Sequence, residues 1–426
     1  MNSIVHRFTL ILRGNTFSNF LHLSLNQGAN LLTTIILTPF LFKRIGEDQY
    51  GLISLALTVT MLFGIIVNYG FGLNVPKQLA LVQQDRERKQ RTINEVVVTR
   101  LVLSLLLVLL MYVLTTLLGF FSEYSTILLF SAVLLLNDAV YPMFISQGFD
   151  RLSWISKSNA IAKILYLILV VLVVQGPDDA KWVNFILGVS GVAVNLVLLA
   201  FIYRYESIRF QWIELSNIFS RLLDNFQFFS STIASYVLVN GGFILLSNFV
   251  TNTELGYYAV AQRISVLLRM IPVFITQSIL QKATRLYEAD RGAYRSYVKR
   301  SCFNGMLITL AVGVIVSVSA PWIIEFLTGN RVTLAIKLTR LLSFLPFMGM
   351  LNVPNMIKIL VTDRKQILAQ AIWITALVML LLSTAGAYFY GSLGMALALM
   401  VSEVFNYWIH HYLIGKVEVR SNVTSK

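Results

Sequence analysis

The sequence predicts an all-α integral membrane protein: 12 transmembrane helices in two six-helix halves around a central cleft. Three observations carry this expectation. Of its 426 residues, 57% are apolar and 13% charged, about half the charged share of a soluble domain. The apolar residues gather into runs long enough to cross a bilayer, joined by short loops. Short landmarks recur in the same order in both halves of the chain.

The elements follow in chain order. Residues 1–18 place Arg7 and Arg13 beside Phe8, Leu10, Ile11 and Leu12, with no small-residue cleavage site. They read as an amphipathic N-terminal segment on the inner membrane surface, not as a cleavable signal peptide. Spans are expected near 19–42, 50–76, 96–120, 125–147, 153–175 and 182–203, then near 226–250, 255–281, 301–320, 334–358, 366–388 and 393–414. The N-terminal half is therefore 19–205, followed by a cytoplasmic linker at 206–225. The C-terminal half is 226–414, and 415–426 is a cytoplasmic tail.

Loop charges set the orientation. One side carries Arg7, Arg13, Lys77, Arg86, Arg88, Lys89, Arg91, Arg151, Lys157, Arg204, Arg209 and Arg221. Lys282, Arg285, Arg291, Arg295, Lys299, Arg300, Lys358, Arg364, Lys365, Lys416, Arg420 and Lys426 share that side. The other side has Lys43, Arg44, Lys181, Arg331 and Lys337. The positive-inside rule then puts both termini in the cytoplasm and accounts for the net charge of +14 without nucleic acid. Cys302 is the single cysteine, which excludes an intrachain disulfide and any cysteine metal cluster.

The repeat rests on three pairs. Asn19-Phe20 answers Asn225-Phe226, Tyr50-Gly51-Leu52 answers Leu255-Gly256-Tyr257, and Asp150-Arg151 answers Asp363-Arg364. Six helices return the chain to its starting side. The halves then share one orientation, with substrate between them.

Polar residues inside the spans are the functional candidates. The stretch Leu255 to Tyr287 is long and apolar, yet it carries Arg263 and Arg269. Each arginine costs about 2.5–3.5 kcal/mol at a helix centre. At 100° per residue they share a roughly 120° sector with Gln262, Gln277, Gln281 and Thr284, which reads either as one wet, cationic face or as two arginines snorkelling to opposite headgroup layers. Helix one carries Asn19, His22, Asn26, Asn30 and Thr33 on one stripe, and helix seven carries Thr232, Tyr236, Asn240 and Ser247. Such stripes serve either a wet cavity or interhelical hydrogen bonds. Lys163 and Arg340 lie inside spans five and ten. Arg100, a few residues into span three, is expected to snorkel to the surface. The intramembrane acids are Asp138 and Glu403, the latter sharing a face with Asn406 and His410. Each acid either neutralises a nearby base, such as Lys163 for Asp138, or couples transport to a cation gradient. Bases outnumber acids within the spans, so the interior suits an anionic substrate.

Gln83 to Arg91 and Lys282 to Arg300 are dense charge runs at matching places in the two halves. They set topology and also attract anionic lipid headgroups. No GxxxxGK[ST] phosphate loop, HExxH motif or outer loop with paired carboxylates is present. No catalytic residue, metal or cofactor is expected, and the chain does not read as an enzyme.

Pro39 ending helix one, Gly46 before Tyr50-Gly51, and Tyr69-Gly70-Phe71-Gly72 with Lys77 resemble the oligosaccharide-lipid flippases. These form a branch of the multidrug/oligosaccharidyl-lipid/polysaccharide exporter superfamily, and the chain looks most like the bacterial O-antigen and capsule repeat-unit flippases. The motifs cover residues 19–80 and the topology covers the whole chain. The resemblance implies translocation of undecaprenyl-diphosphate-linked oligosaccharide across the bacterial inner membrane for polysaccharide assembly. On that reading Arg263, Arg269, Lys163 and Arg340 meet the diphosphate, while Asn26, Asn30 and Asn240 meet sugar hydroxyls. Glu403, Asp138 and His410 are the ion-coupling candidates. The partners are the lipid-linked oligosaccharide and membrane lipids, with a polysaccharide polymerase as a candidate. The alternative is a cation-coupled antiporter of drugs or organic cations, which needs a carboxylate-lined cavity. Helix one has no acid before Glu47, which counts against it.

Overall fold

The computed structural model describes the backbone of residues 15–424, and the side chains of residue 28 and of residues 32–416 apart from 365. Residues 1–14, most of the expected N-terminal amphipathic segment, lie outside the described residues, as do residues 425–426 of the tail. Among the described residues the structure is helical throughout, with no strand. Ten helices are long and apolar enough to cross a membrane. The protein is a multi-pass membrane protein.

Two of the ten are far longer than one crossing needs. Leu32–Leu81 has 50 residues and Gln366–Lys416 has 51. Each would reach about 75 Å as a straight α-helix, against a hydrocarbon core of about 30 Å. Each is broken by a glycine: Gly46 has φ 80° and ψ 170°, and Gly391 has φ 57° and ψ −138°. A left-handed φ is strained for any residue with a Cβ, so glycine permits the kink at these two positions.

The chain forms two compact units. One comprises residues 1–45 and 56–232, the other 46–55 and 233–426. In the first, Ala180–Tyr205 packs against Leu152–Val173 and Val133–Val140, and Phe71–Leu81 packs against Met143–Gly148. Buried side chains tie these helices across their polar positions. Ser158 donates to Asn195, Asn195 to Asn137, and Asn184 to Ser131, each at 2.9 Å. The segment after residue 205 is held to Arg86–Tyr112: Lys89 pairs with Glu206 at 2.8 Å, and Arg221 Nε donates to Glu95 at 2.7 Å.

In the second unit, Met270–Ala289, Arg291–Thr328 and Leu345–Val361 enclose a core of Ile279, Ala283, Tyr294, Val298, Cys302, Met350, Val353 and Ile357. The segment 46–55 belongs to this unit and meets Asn252–Leu268 at backbone contact. A Cβ on Gly51 would lie 2.6 Å from the Asn252 carbonyl oxygen and 2.8 Å from the Gly256 nitrogen. A Cβ on Gly256 would overlap the Glu47 carbonyl. Asp48 accepts a hydrogen bond from Thr253, 205 residues away.

Candidate functional site

Helix Asn252–Leu268 starts on a Thr251 cap, whose hydroxyl accepts from the Glu254 amide at 3.3 Å. It ends where Pro272 follows. Proline lacks the amide that would bond the Leu268 carbonyl, and its ring crowds that carbonyl. Arg269 sits at the resulting joint with φ −63° and ψ −14°, and Met270–Ala289 continues beyond it.

The joint aims Arg269 at Glu403 on the last long helix. Nη2 lies 3.1 Å from Oε1, and the two side chains are 20% and 16% exposed. Two charges this shielded need each other, since a lone buried charge is costly. The pair continues into a chain of amides. Asn406 Nδ2 donates to Glu403 Oε2 at 3.4 Å, and Thr375 donates to Asn406 Oδ1 at 3.3 Å. His410 Nδ1 lies 2.9 Å from the Asn406 carbonyl oxygen and 3.3 Å from Asn352 Nδ2. Asn355 donates to Asn352 Oδ1 at 3.2 Å and to the Tyr407 carbonyl at 3.3 Å. His410 is buried, and its Nε2 has no hydrogen-bond partner. Glu403 and His410 are thus connected through Asn406 and do not touch directly.

Arg263 serves a different partner. Its guanidinium carbon lies 5.0 Å from the centroid of the buried Tyr50 ring, and Nη2 is 3.5 Å from Ser54 Oγ. Among the described residues no carboxylate pairs with Arg263. The arginines of this helical stretch are therefore unequal: Arg269 is neutralised, and Arg263 keeps its charge against an aromatic face.

The remaining candidates are dispersed. Lys163 is half-buried, its ammonium 5.9 Å from the Tyr166 ring centroid. Arg340 is exposed, and its Nε donates to the Ser317 carbonyl at 3.2 Å. Asn240 is half-buried in the π-helical turn Val237–Gly241. Asn26 and Asn30 lie on the first helix, and their side chains fall outside the described residues.

Arg100 does not snorkel. It is 3% exposed, donates to the Tyr141 carbonyl at 2.9 Å and to Asn68 Oδ1, and lies over the Phe144 ring. The reason is the Tyr141-Pro142 break: it frees a carbonyl inside the membrane, and the multi-donor guanidinium fills it. Among the described residues no ion pair joins Lys163 to Asp138, the pairing the sequence offered; Lys163 lies by the Tyr166 ring instead. Sequence reasoning missed Asn352, Asn355 and Thr375 as well. Two amides one turn apart in an otherwise apolar span were the signal for the first two.

The profile of the family described as polysaccharide biosynthesis protein matches residues 12–280. The chain belongs to that family. The matched stretch includes Arg100, Asp138, Lys163, Arg263 and Arg269, and ends before Arg340, Glu403 and His410. The chain is also similar to two proteins named "Putative O-antigen transporter". The one from Escherichia coli (strain K12) is 22% identical over 90% of this chain and 93% of its own length. The one from Shigella dysenteriae is 23% identical over 91% and 96%. Among solved structures, an inward-facing multidrug resistance MATE family transporter of the MOP superfamily aligns with a TM-score of 0.69 at 13% identity. That alignment covers 93% of this chain and 98% of the transporter. The lipid II flippase MurJ, in an inward closed conformation, also gives 0.69, at 15% identity over 92% and 87%. The family member described here has the fold of these transporters.

Proposed function

We propose that this protein is a flippase that moves undecaprenyl-diphosphate-linked oligosaccharide repeat units across the bacterial inner membrane for O-antigen or capsule assembly. The observation that carries the reading is the likeness, over nine-tenths of the chain, to proteins named as O-antigen transporters, within a polysaccharide biosynthesis family. The chemistry is consistent. A diphosphate entering hydrocarbon needs cations, and Arg263 offers one that no carboxylate neutralises among the described residues. Arg269 meets the diphosphate by exchanging Glu403 for it, so that charge is never left unpaired. Lys163 and Arg340 add charge, and Asn26, Asn30 and Asn240 meet sugar hydroxyls.

The same reading covers the topology. Leu32–Leu81 and Gln366–Lys416 each contribute two crossings, which raises ten long helices to twelve spans and returns both termini to the cytoplasm. The halves are 19–205 and 226–414, joined by the 206–225 linker. Glu403, Asp138 and His410 are the groups through which a cation gradient would act. Translocation makes and breaks no covalent bond, so no catalytic residue is assigned. A polysaccharide polymerase is the proposed downstream partner.

Export of organic cations is the lesser reading, because Glu403, one of the two intramembrane acids it would use, is already paired with Arg269. Liposomes holding the purified protein separate the two. Lipid-linked oligosaccharide labelled on one leaflet should become accessible on the other only when protein is present. A cationic dye should not be moved. Dye transport without lipid flipping would overturn the proposal.

A further inference from the structure

The hairpin of Met270–Ala289 and Arg291–Thr328 carries six basic residues that the transport reading leaves unused. Lys282, Arg285, Arg291, Arg295, Lys299 and Arg300 are all exposed. None has a carboxylate partner among the described residues. The acids at the turn are Glu288 and Asp290, and Asp290 is committed to capping the second helix, accepting from the Gly292 amide at 2.7 Å and the Ala293 amide at 3.1 Å.

Two features distinguish this cluster from charge that merely sets topology. First, Arg291, Arg295 and Lys299 are spaced four apart, so at 100° per residue they fall within roughly 80° of one another on a single helix face. Like charges at that spacing destabilise a helix, and orienting a span does not require a shared face. Second, tyrosines hold two of the cations in place. The Arg291 guanidinium carbon is 3.3 Å from the Tyr287 ring centroid, and the Lys282 ammonium is 4.7 Å from that of Tyr297. Tyr287 in turn meets Tyr294 edge-on at 5.1 Å, and Tyr294 is buried in the helical core. Ring contacts thus fix Arg291, the first cation of the row, and Lys282 on the preceding helix of the hairpin.

The geometry points to a binding surface for the phosphate groups of anionic phospholipids, centred on the row Arg291, Arg295 and Lys299. A row of cations without carboxylates asks for several anions side by side, and a bilayer surface rich in lipid phosphate supplies them. The assignment stands apart from the substrate reading, since the lipid it binds is the solvent of the protein and not its cargo.

The full-length protein is placed in nanodiscs of phosphatidylcholine with a minor fraction of phosphatidylglycerol, and lipid retained after detergent exchange is counted by native mass spectrometry. Three variants are compared with it. The first neutralises the row by Arg291→Gln, Arg295→Gln and Lys299→Gln. The second keeps its charge by Arg291→Lys and Arg295→Lys. The third removes the same charge from exposed positions elsewhere by Lys77→Gln, Lys157→Gln and Arg204→Gln. Retention of phosphatidylglycerol should fall by about fivefold per neutralised cation in the row variant, and by much less in the other two. All variants are first shown to be monodisperse. An equal fall in the row and distant variants would mean that only net charge matters, and would overturn the inference. So would unchanged retention in the row variant. A parallel sample offers undecaprenyl diphosphate in pure phosphatidylcholine; row-dependent retention of that lipid without phosphatidylglycerol retention would assign the surface to substrate and overturn it too.

Discussion

Gly51 and Gly256 lie backbone against backbone, each blocking the other's missing side chain. The contact is reciprocal: Gly51 faces the carbonyl of Asn252, and Gly256 faces that of Glu47. Residues 47 and 252, like 51 and 256, stand at the separation that Asp48 and Thr253 bridge by a hydrogen bond. These contacts thus tie the segment 46–55 to the start of Asn252–Leu268. Tyr257 adds a hydrogen bond to Glu47 at 3.3 Å.

Alanine at either glycine forces these backbones apart. Gly51→Ala and Gly256→Ala should each lower stability by about 1–3 kcal/mol, the usual cost of overpacking. Gly72 has open space around it, and Gly72→Ala should leave the melting temperature in detergent unchanged. Equal melting curves for all three variants would contradict the close contact.

The Arg269–Glu403 pair predicts compensation. Removing one member leaves a partly buried charge without its partner, which costs less than the about 3–5 kcal/mol of a fully buried pair but is still destabilising. Arg269→Ala should therefore reduce the amount of protein in the membrane, and adding Glu403→Gln should restore it. Quantitative immunoblotting of membranes checks both. If the double variant is as depleted as the single one, the pair does not carry this energy.

Arg100 is the corresponding test in the first unit. Arg100→Gln removes the charge and most of the donors that serve Asn68 and Tyr141, while Arg100→Leu removes them all. Both should melt well below the parent, with Leu the lower. Full stability of Arg100→Leu would return Arg100 to the surface role the sequence suggested.

Much of this was legible in the residues. Composition gave the membrane class, and the recurring Tyr50-Gly51 and Gly256-Tyr257 landmarks marked positions that turn out to touch. Arg269 and Glu403 were each singled out, but nothing in a linear chain says that residues 134 apart share a bond. Arg100 was misjudged for a concrete reason. Its depth was counted from the start of the apolar run, whereas the helix begins at Arg86 and carries its own polar first turns. The expectation that Lys163 answers Asp138 failed likewise, because the choice among cations depends on which helix faces which. Asn352 and Asn355 are hidden in a strongly apolar helix, and only packing reveals that Asn352 meets His410 and Asn355 the Tyr407 carbonyl.

Topology is open to direct measurement. Single cysteines at Gly119, Asp178 and Arg331, all exposed, should react with an impermeant thiol reagent in intact cells. Cysteines at Arg88 and Arg285, also exposed, should react only after permeabilisation. The native Cys302 is buried, so the background should be low. The reverse pattern would invert the proposed orientation.

The central claim is that this chain carries a lipid diphosphate through the membrane with the help of Arg263, which no carboxylate neutralises among the described residues. The most direct test is the initial rate of undecaprenyl-diphosphate oligosaccharide flipping in proteoliposomes by the parent, Arg263→Lys and Arg263→Ala, each at matched protein incorporation. The account predicts full flipping by the parent, partial flipping by Arg263→Lys, which keeps a point charge but loses the guanidinium fork, and loss of flipping by Arg263→Ala. Parent-like flipping by Arg263→Ala, or no flipping by the parent, would contradict it.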